Sequence, residues 1–479
     1  MTVLFFAHVR RFYETLFFAQ LGLVATLFAF SGQARAHGRP PLIGQVAFHP
    51  DDPDFVVARA TWGLVLTEDG GESWRWMCAA VMGTDPTRED PVIRVMPDGA
   101  ILAGNFSGIW RSTPERCDWE QPDPAVTDVF TIDLDVRPSE PGTVFALITS
   151  GIDSDQLFRS DDMGRSWSEV STLQELVLME RVRLAPSDPT RVYLSGAIPN
   201  DPESMGRRAC FFRSDDAGET FTETELPLLD GERNAHLLAV DPSDPDRALV
   251  HMTRRATDDR PQRLLLTEDG GATFRLVMEA LELSGAAFSP DGSQAWATAR
   301  TTDGLFRSDD GGATFTQLTG GNFPCVGHDG TRLWMCVDEL RDDYAMARTG
   351  TGDTIDRVLV FDMIRQLPDC PRCSQVGYVC PEWFPDLAYD LRLDGVTAPD
   401  GGMTGAPRDA SVPLACTDGG EPEPPVTEGC ACRAGGGKSS HPAWLFGVFL
   451  ASSLLWRRRV PGSGGTRRQT ASSSEPCDC

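Results

Sequence analysis

Five copies of one eight-residue pattern punctuate the chain: TEDGGESW (67–74), SDDMGRSW (160–167), SDDAGETF (214–221), TEDGGATF (267–274) and SDDGGATF (308–315). Self-similarity at such intervals implies repeated supersecondary units rather than one continuous core. Within each copy the Asp (Asp69, Asp162, Asp216, Asp269, Asp310) can accept hydrogen bonds from nearby backbone N–H groups and close a turn. The Gly two residues later permits a left-handed backbone. The last residue (Trp74, Trp167, Phe221, Phe274, Phe315) can fold back under the turn as an apolar anchor. The pattern therefore reads as a structural hairpin staple. Calcium ligation is the weaker reading, because a calcium loop needs further oxygen ligands and a closing acid.

A second element fixes the number of units. Apolar runs ending in a Pro- or Asp-containing turn recur as VAFHPDDPDFVVA (46–58), VMPDGAILA (95–103), LDVRPSEPGTVFAL (134–147), VRLAPSDPTRVYL (182–194), LAVDPSDPDRALV (238–250), FSPDGSQAWA (288–297) and GHDGTRLWM (327–335). Each is an antiparallel hairpin signal. Degenerate boxes at RSTPERCDW (111–119) and RTGTGDTI (348–355) fill the two gaps, so first box positions fall at 67, 112, 160, 214, 267, 308 and 349. Intervals of about 40–55 residues suit a four-stranded propeller blade. Blade one reads as LIGQVAF, DFVVARA, GLVLTE and SWRWMC, with the box joining the third strand to the fourth.

The box resembles the Asp box, or BNR repeat, of sialidase- and sortilin-type propellers. The expectation is an all-β, seven-bladed propeller over 40–365. No first-blade strand is available to complete blade seven, which is therefore expected to be irregular.

The termini point to export. Arg10 and Arg11 precede an apolar run from Leu16 to Phe30 and then SGQARA, a secretory signal over 1–36. Residues 366–394 form a Cys-containing extension, and 395–428 is a disordered acidic, Pro- and Gly-rich linker. GCACRAGGG, with Cys430 and Cys432, then leads to AWLFGVFLASSLLW (443–456) and three arginines. This order resembles the MYXO-CTERM sorting segment of myxobacterial surface proteins, here over 429–459 with a 460–479 tail. The resemblance implies a short C-terminal membrane helix and a cell-surface, outer-membrane or extracellular location.

The formal charge is −27, with one lysine, Lys438. An acidic body disfavours nucleic acid as a partner. No metal or cofactor is implied, for the chain has neither a phosphate loop nor an HExxH motif. A monomer is expected. Thirteen cysteines in an exported chain imply disulfides. A Cys78–Cys117 bridge is expected between blades one and two, and Cys325 pairs with Cys336 across the blade-seven hairpin. Cys370 and Cys373 have zinc-knuckle spacing, but disulfides are favoured for them, Cys380 and Cys416 in an oxidising compartment.

Function has to come from one face of the ring. First-to-second-strand turns and boxes share one rim. The other, termed here the crossing rim, carries second-to-third-strand loops and blade crossings, with Arg59, Trp62, Arg88, Glu89, Asn105, Asn200, Arg254, Arg255, Arg300, Glu339 and Arg341. Arginines converging on the channel could bind a carboxylate bidentately. A sialidase, however, needs a Phe-Arg-Ile-Pro-like motif and a Tyr beside a Glu. Only Tyr344 with Glu339 offers that pair. Xyloglucanase-type propellers resemble these hairpins more closely but set two propellers around a cleft, whereas this chain has one. The expectation is a non-catalytic binding or scaffold propeller for a saccharide or protein ligand, with a glycoside hydrolase as the alternative.

Overall fold

A computed structural model describes residues 39–397 apart from 150–153, 174–177, 200–206, 256 and 351–353. Seven sheets follow one another, each with four antiparallel strands in chain order. Blade one consists of Ile43–Phe48, Val56–Ala60, Gly63–Thr67 and Trp74–Cys78, matching the expected strands to within a few residues. The innermost strands of blades two to seven are Val92–Val95, Phe130–Arg137, Leu178–Leu184, Glu232–Val240, Leu283–Phe288 and Cys325–His328. Apolar side chains from neighbouring blades interlock, as where Tyr193 and Phe211 of blade four and Phe274 of blade five pack in one buried cluster. Each blade thus buries its faces against its neighbours.

The boxes behave as staples in all five copies. In blade one, Asp69 Oδ1 accepts from Ser73 N at 2.9 Å and from Thr67 Oγ1 at 2.7 Å, and Gly71 N donates to Thr67 Oγ1 at 2.9 Å. Blade four repeats this with Thr220 N to Asp216 at 2.9 Å and Gly218 N to Ser214 Oγ at 2.8 Å. Gly71 has φ +99°, where a Cβ would also crowd Val358. Hydrogen bonds from the turn push the Asp69 and Asp216 carboxyls down to about 2. Trp74 is buried and donates through Nε1 to Val358 O of blade seven at 2.9 Å, so this anchor also closes the ring. Phe221, Phe274 and Phe315 are only half-buried.

Blade seven is regular, with four antiparallel strands of its own, Cys325–His328, Leu333–Cys336, Met346–Thr349 and Asp356–Leu359. The seam with blade one is held by packing of Phe48 on Trp334, by Arg332 with Asp54 at 3.2 Å, and by Arg348 donating to Gly70 O. A fifth strand, Ile364–Gln366, then leaves blade seven and pairs parallel with the outer strand of blade one. Closure is thus reinforced from outside the ring.

Helix Gln375–Asp390 completes this strap and corrects the expected Cys78–Cys117 bridge. Cys78 pairs with Cys380 and Cys117 with Cys370. The two blade-edge cysteines each reach a partner on the strap, which lies over both blades. Cys325 and Cys336 are bonded as expected, directly opposite each other in register. Cys373 is also disulfide-bonded, so the knuckle-like spacing serves disulfides. The strap fills the degenerate box of blade two: Gln375 N donates to Asp118 Oδ1 at 2.9 Å and Val376 N to Cys117 O at 3.0 Å. Where the staple has decayed, the helix N-terminus supplies the missing donors.

No helix among the described residues is long and apolar enough to cross a membrane. The 1–36 signal, Asn200, Cys416, the sorting segment with Cys430 and Cys432, and the tail all lie outside those residues. The three disulfides formed between described residues suit an oxidising, extracellular setting.

Candidate functional site: the central channel and the crossing rim

The innermost strands surround a channel of about 710 Å³. On the box side its walls end in prolines from the first-to-second-strand turns: Pro50, Pro138, Pro186, Pro242 and Pro290. Each fixes φ at the bend and exposes no N–H.

Midway, charged and amide side chains do a structural task. The inner edge of each blade presents backbone groups that no fifth strand covers, and side chains of the neighbouring blade cover several of them. Gln45 bonds both Ile93 N at 3.2 Å and Ile93 O at 3.0 Å. Asp133 Oδ2 accepts from Val182 N at 3.2 Å, and Asp135 Oδ2 from Leu184 N at 2.8 Å. Arg183 compensates Asp133 at 2.6 Å and Arg94 compensates Asp135 at 3.2 Å. Burial raises the Asp133 carboxyl, but the facing Arg183, Arg181 and Arg94 outweigh it and hold it below its ordinary value.

Glu180 is bonded to His236 and Asn234 of blade five. Burial raises its carboxyl and holds His236 well below its ordinary value. His236 meets His251 edge-on at 5.9 Å, and His251 is bonded to Gln262 at 2.8 Å.

Two channel arginines are left with cationic capacity. Among the described residues Arg181 bonds only its neighbour's carbonyl, Glu180 O, at 2.9 Å and makes no ion pair, although the Asp133 charge acts on it. Arg59 meets Asp90 at 3.3 Å, but its Nε is buried without a partner. Burial lowers the Arg59 guanidinium, and Arg181 and Arg300 are close enough to lower it further.

The expected rim residues divide by role. Arg88, Arg255 and Arg300 are exposed and have no side-chain partner among the described residues. Arg207 and Arg233, close enough to Glu180 to act on its charge, are half-buried and equally free. Arg254 is instead tied down by Glu232 at 3.6 Å, Asp258 at 3.4 Å and Pro261 O at 2.9 Å. Trp62 packs edge-on against Phe361, and its carbonyl accepts from Trp76. Glu89 and Asn105 are buried beneath the rim. Arg341 is exposed beside Asp338.

Glu339 and Tyr344 sit on the blade-seven loop, outside the channel wall. Glu339 Oε2 accepts from Phe361 N at 2.6 Å, and burial pushes its carboxyl up to about 7. Tyr344 lies under the Arg357 guanidinium at 4.5 Å. Among the described residues no group of three or more side chains is placed to hold a metal.

Sequence reasoning missed Arg181 and the Glu180–His236 pair. The available signal was charge at alternating positions in the innermost strands, as in IDLDVRP (132–138) and ERVRLAP (180–186). A strand enclosed on both faces has to satisfy such charges locally.

The Sortilin-Vps10 family model, described as sortilin, neurotensin receptor 3, matches residues 155–298, about a third of the chain. No curated protein sequence matches significantly. Among solved structures, an ancestral GH74 enzyme is similar, with 14% identity and a TM-score of 0.52; the match covers 67% of this chain and 46% of the enzyme. The chain therefore spans about half the length of that enzyme. The GH74 xyloglucanase from Xanthomonas campestris is 13% identical with a TM-score of 0.36, covering 66% of each chain. At these identities the likeness is one of fold: this is a β-propeller with a sortilin-like region.

Proposed function

We propose that this chain is a secreted or cell-surface binding propeller, non-catalytic, whose saccharide or protein ligand approaches the crossing rim and presents an anionic group to the channel. The carrying observation is Arg181, a channel-wall guanidinium that shares the field of Asp133 but makes no ion pair among the described residues, in a chain of formal charge −27. Burying a charge without a partner is costly, and an incoming carboxylate or sulfate would supply one through a forked hydrogen bond. Arg59, with an unused Nε, is the natural second contact. Anchoring through the C-terminal segment, and action as a monomer, belong to the same reading.

The test compares the full-length protein with the Arg59→Ala/Arg181→Ala double variant on immobilised alginate and on poly-glutamate. Binding of the parent to at least one, weakened tenfold or more in the variant, is expected. Equal binding by both proteins overturns the reading.

A glycoside hydrolase on the same fold is the second reading, and the Glu339 carboxyl favours it, because a group pushed up to about 7 is suited to general acid work. Such an enzyme needs a second carboxylate, or a tyrosine, across the scissile bond. Hydrolysis of xyloglucan or a sialoside that disappears in Glu339→Gln or Tyr344→Phe would replace the binding reading.

A further inference from the structure

We infer that Phe106 and Phe130 form a stacking platform for a carboxylate-bearing sugar on the crossing rim, an inference that rests on reading that rim as the ligand face. Phe106 is 47% exposed and Phe130 40%, and their rings meet edge to face at 4.5 Å. A single exposed apolar residue needs no explanation, but a contiguous aromatic pair does.

The turn beneath the pair is built with buried polar groups. Glu89, 8% exposed, accepts from Phe106 N at 2.7 Å. Asn105, 2% exposed, donates to Met82 O at 2.8 Å and accepts from Ser107 N at 2.9 Å. Asp128 N donates to Ser107 O at 2.8 Å, joining this turn to the segment that carries Phe130. Two residues expected to touch ligand therefore hold the platform in place. Rigid support of this kind lowers the ordering cost of binding.

Size decides between occupants. A phenylalanine side chain offers about 150–250 Å², so at these exposures the pair presents roughly 130–220 Å². A stable protein interface needs on the order of 800 Å² from each partner. The platform is too small for a folded partner and large enough for a pyranose ring, whose C–H face packs on an aromatic one. Its flanks fit the rest of a sugar: among the described residues Asp128 is exposed with no side-chain hydrogen bond or ion pair and can accept from hydroxyls, while exposed Arg88, near Asp85 and Glu89 but ion-paired to neither, can meet a carboxylate.

The test uses the full-length protein in affinity electrophoresis against alginate and polygalacturonate, with dextran as the neutral control and poly-glutamate as a peptide polyanion. Binding to at least one polyuronate is expected, weakened tenfold or more by Phe106→Ala/Phe130→Ala, retained by Phe106→Trp and reduced by Arg88→Ala, with melting temperatures unchanged. No polyuronate binding, equal binding of dextran, or an undiminished double alanine variant would overturn the platform. Poly-glutamate binding that needs both phenylalanines, without polyuronate binding, makes the occupant a peptide and likewise overturns it. Loss in Arg59→Ala/Arg181→Ala but not in the phenylalanine variant leaves the channel reading standing and removes the platform. The reverse pattern retains the platform and removes the channel contact.

Discussion

At the scale of single residues, the box carboxylates and Glu339 respond to acid in opposite senses. Asp69 and Asp310 are pushed down to about 2 by hydroxyl and backbone donors of their own turns. A folded value below the unfolded one contributes stability above about pH 4 that is lost as pH falls toward 2. Asp69→Ala should therefore lower stability at neutral pH by about 1–2 kcal/mol and remove part of the acid sensitivity. Chemical denaturation at pH 7 and pH 3 would check both; an unchanged pH dependence counts against the staple. Glu339 is pushed up to about 7 by burial. Its contribution is fully present below its unfolded value and fades as pH rises through 7. In Glu339→Gln, which keeps an acceptor for Phe361 N, the melting temperature should no longer decline between pH 5 and 8. A decline as steep as the parent's would assign the effect elsewhere.

At the scale of elements, what was legible follows from how local the signal is. The blade hairpins were readable because each strand lies beside its sequence neighbour and the box marks one particular turn. Strap Ile364–Asp390 was not, since its partners lie 253 and 302 residues earlier and only the cysteine count hinted at them. The candidate site was half legible. Arg88, Arg255 and Arg300 announce themselves by loop position. Arg181 and Arg183 are indistinguishable in ERVRLAP, because the carboxylate that forms an ion pair with Arg183 and not with Arg181 comes from the preceding blade. Non-reducing peptide mapping should recover Cys78 linked to Cys380 and Cys117 linked to Cys370. A Cys78–Cys117 peptide would contradict the strap. Because these bridges close long loops, Cys117→Ser/Cys370→Ser should cost about 2–4 kcal/mol, measurable by denaturant titration.

At the scale of the whole molecule, the ring has to hold together at the one seam that no covalent blade-to-blade crossing spans. Blade seven does not exchange a strand with blade one, so that interface rests on side-chain packing, the Trp74 and Arg348 hydrogen bonds and the Arg332–Asp54 ion pair. The strap adds a covalent route: the chain leaves blade seven, pairs along the outer strand of blade one, and is bonded to blades one and two. Opening the seam therefore requires peeling the parallel strand or stretching a loop pinned by disulfides. Two truncations separate this from a passive extension. A chain ending at residue 397 keeps the strand, the helix and the Cys78–Cys380 and Cys117–Cys370 bridges and should melt above a chain that lacks them. One ending at 363 loses strand, helix and both bridges; it should melt lower and, by small-angle scattering, show an enlarged radius consistent with a gap between blades seven and one. Equal melting and equal dimensions for the two truncations would mean that side-chain packing alone closes the ring.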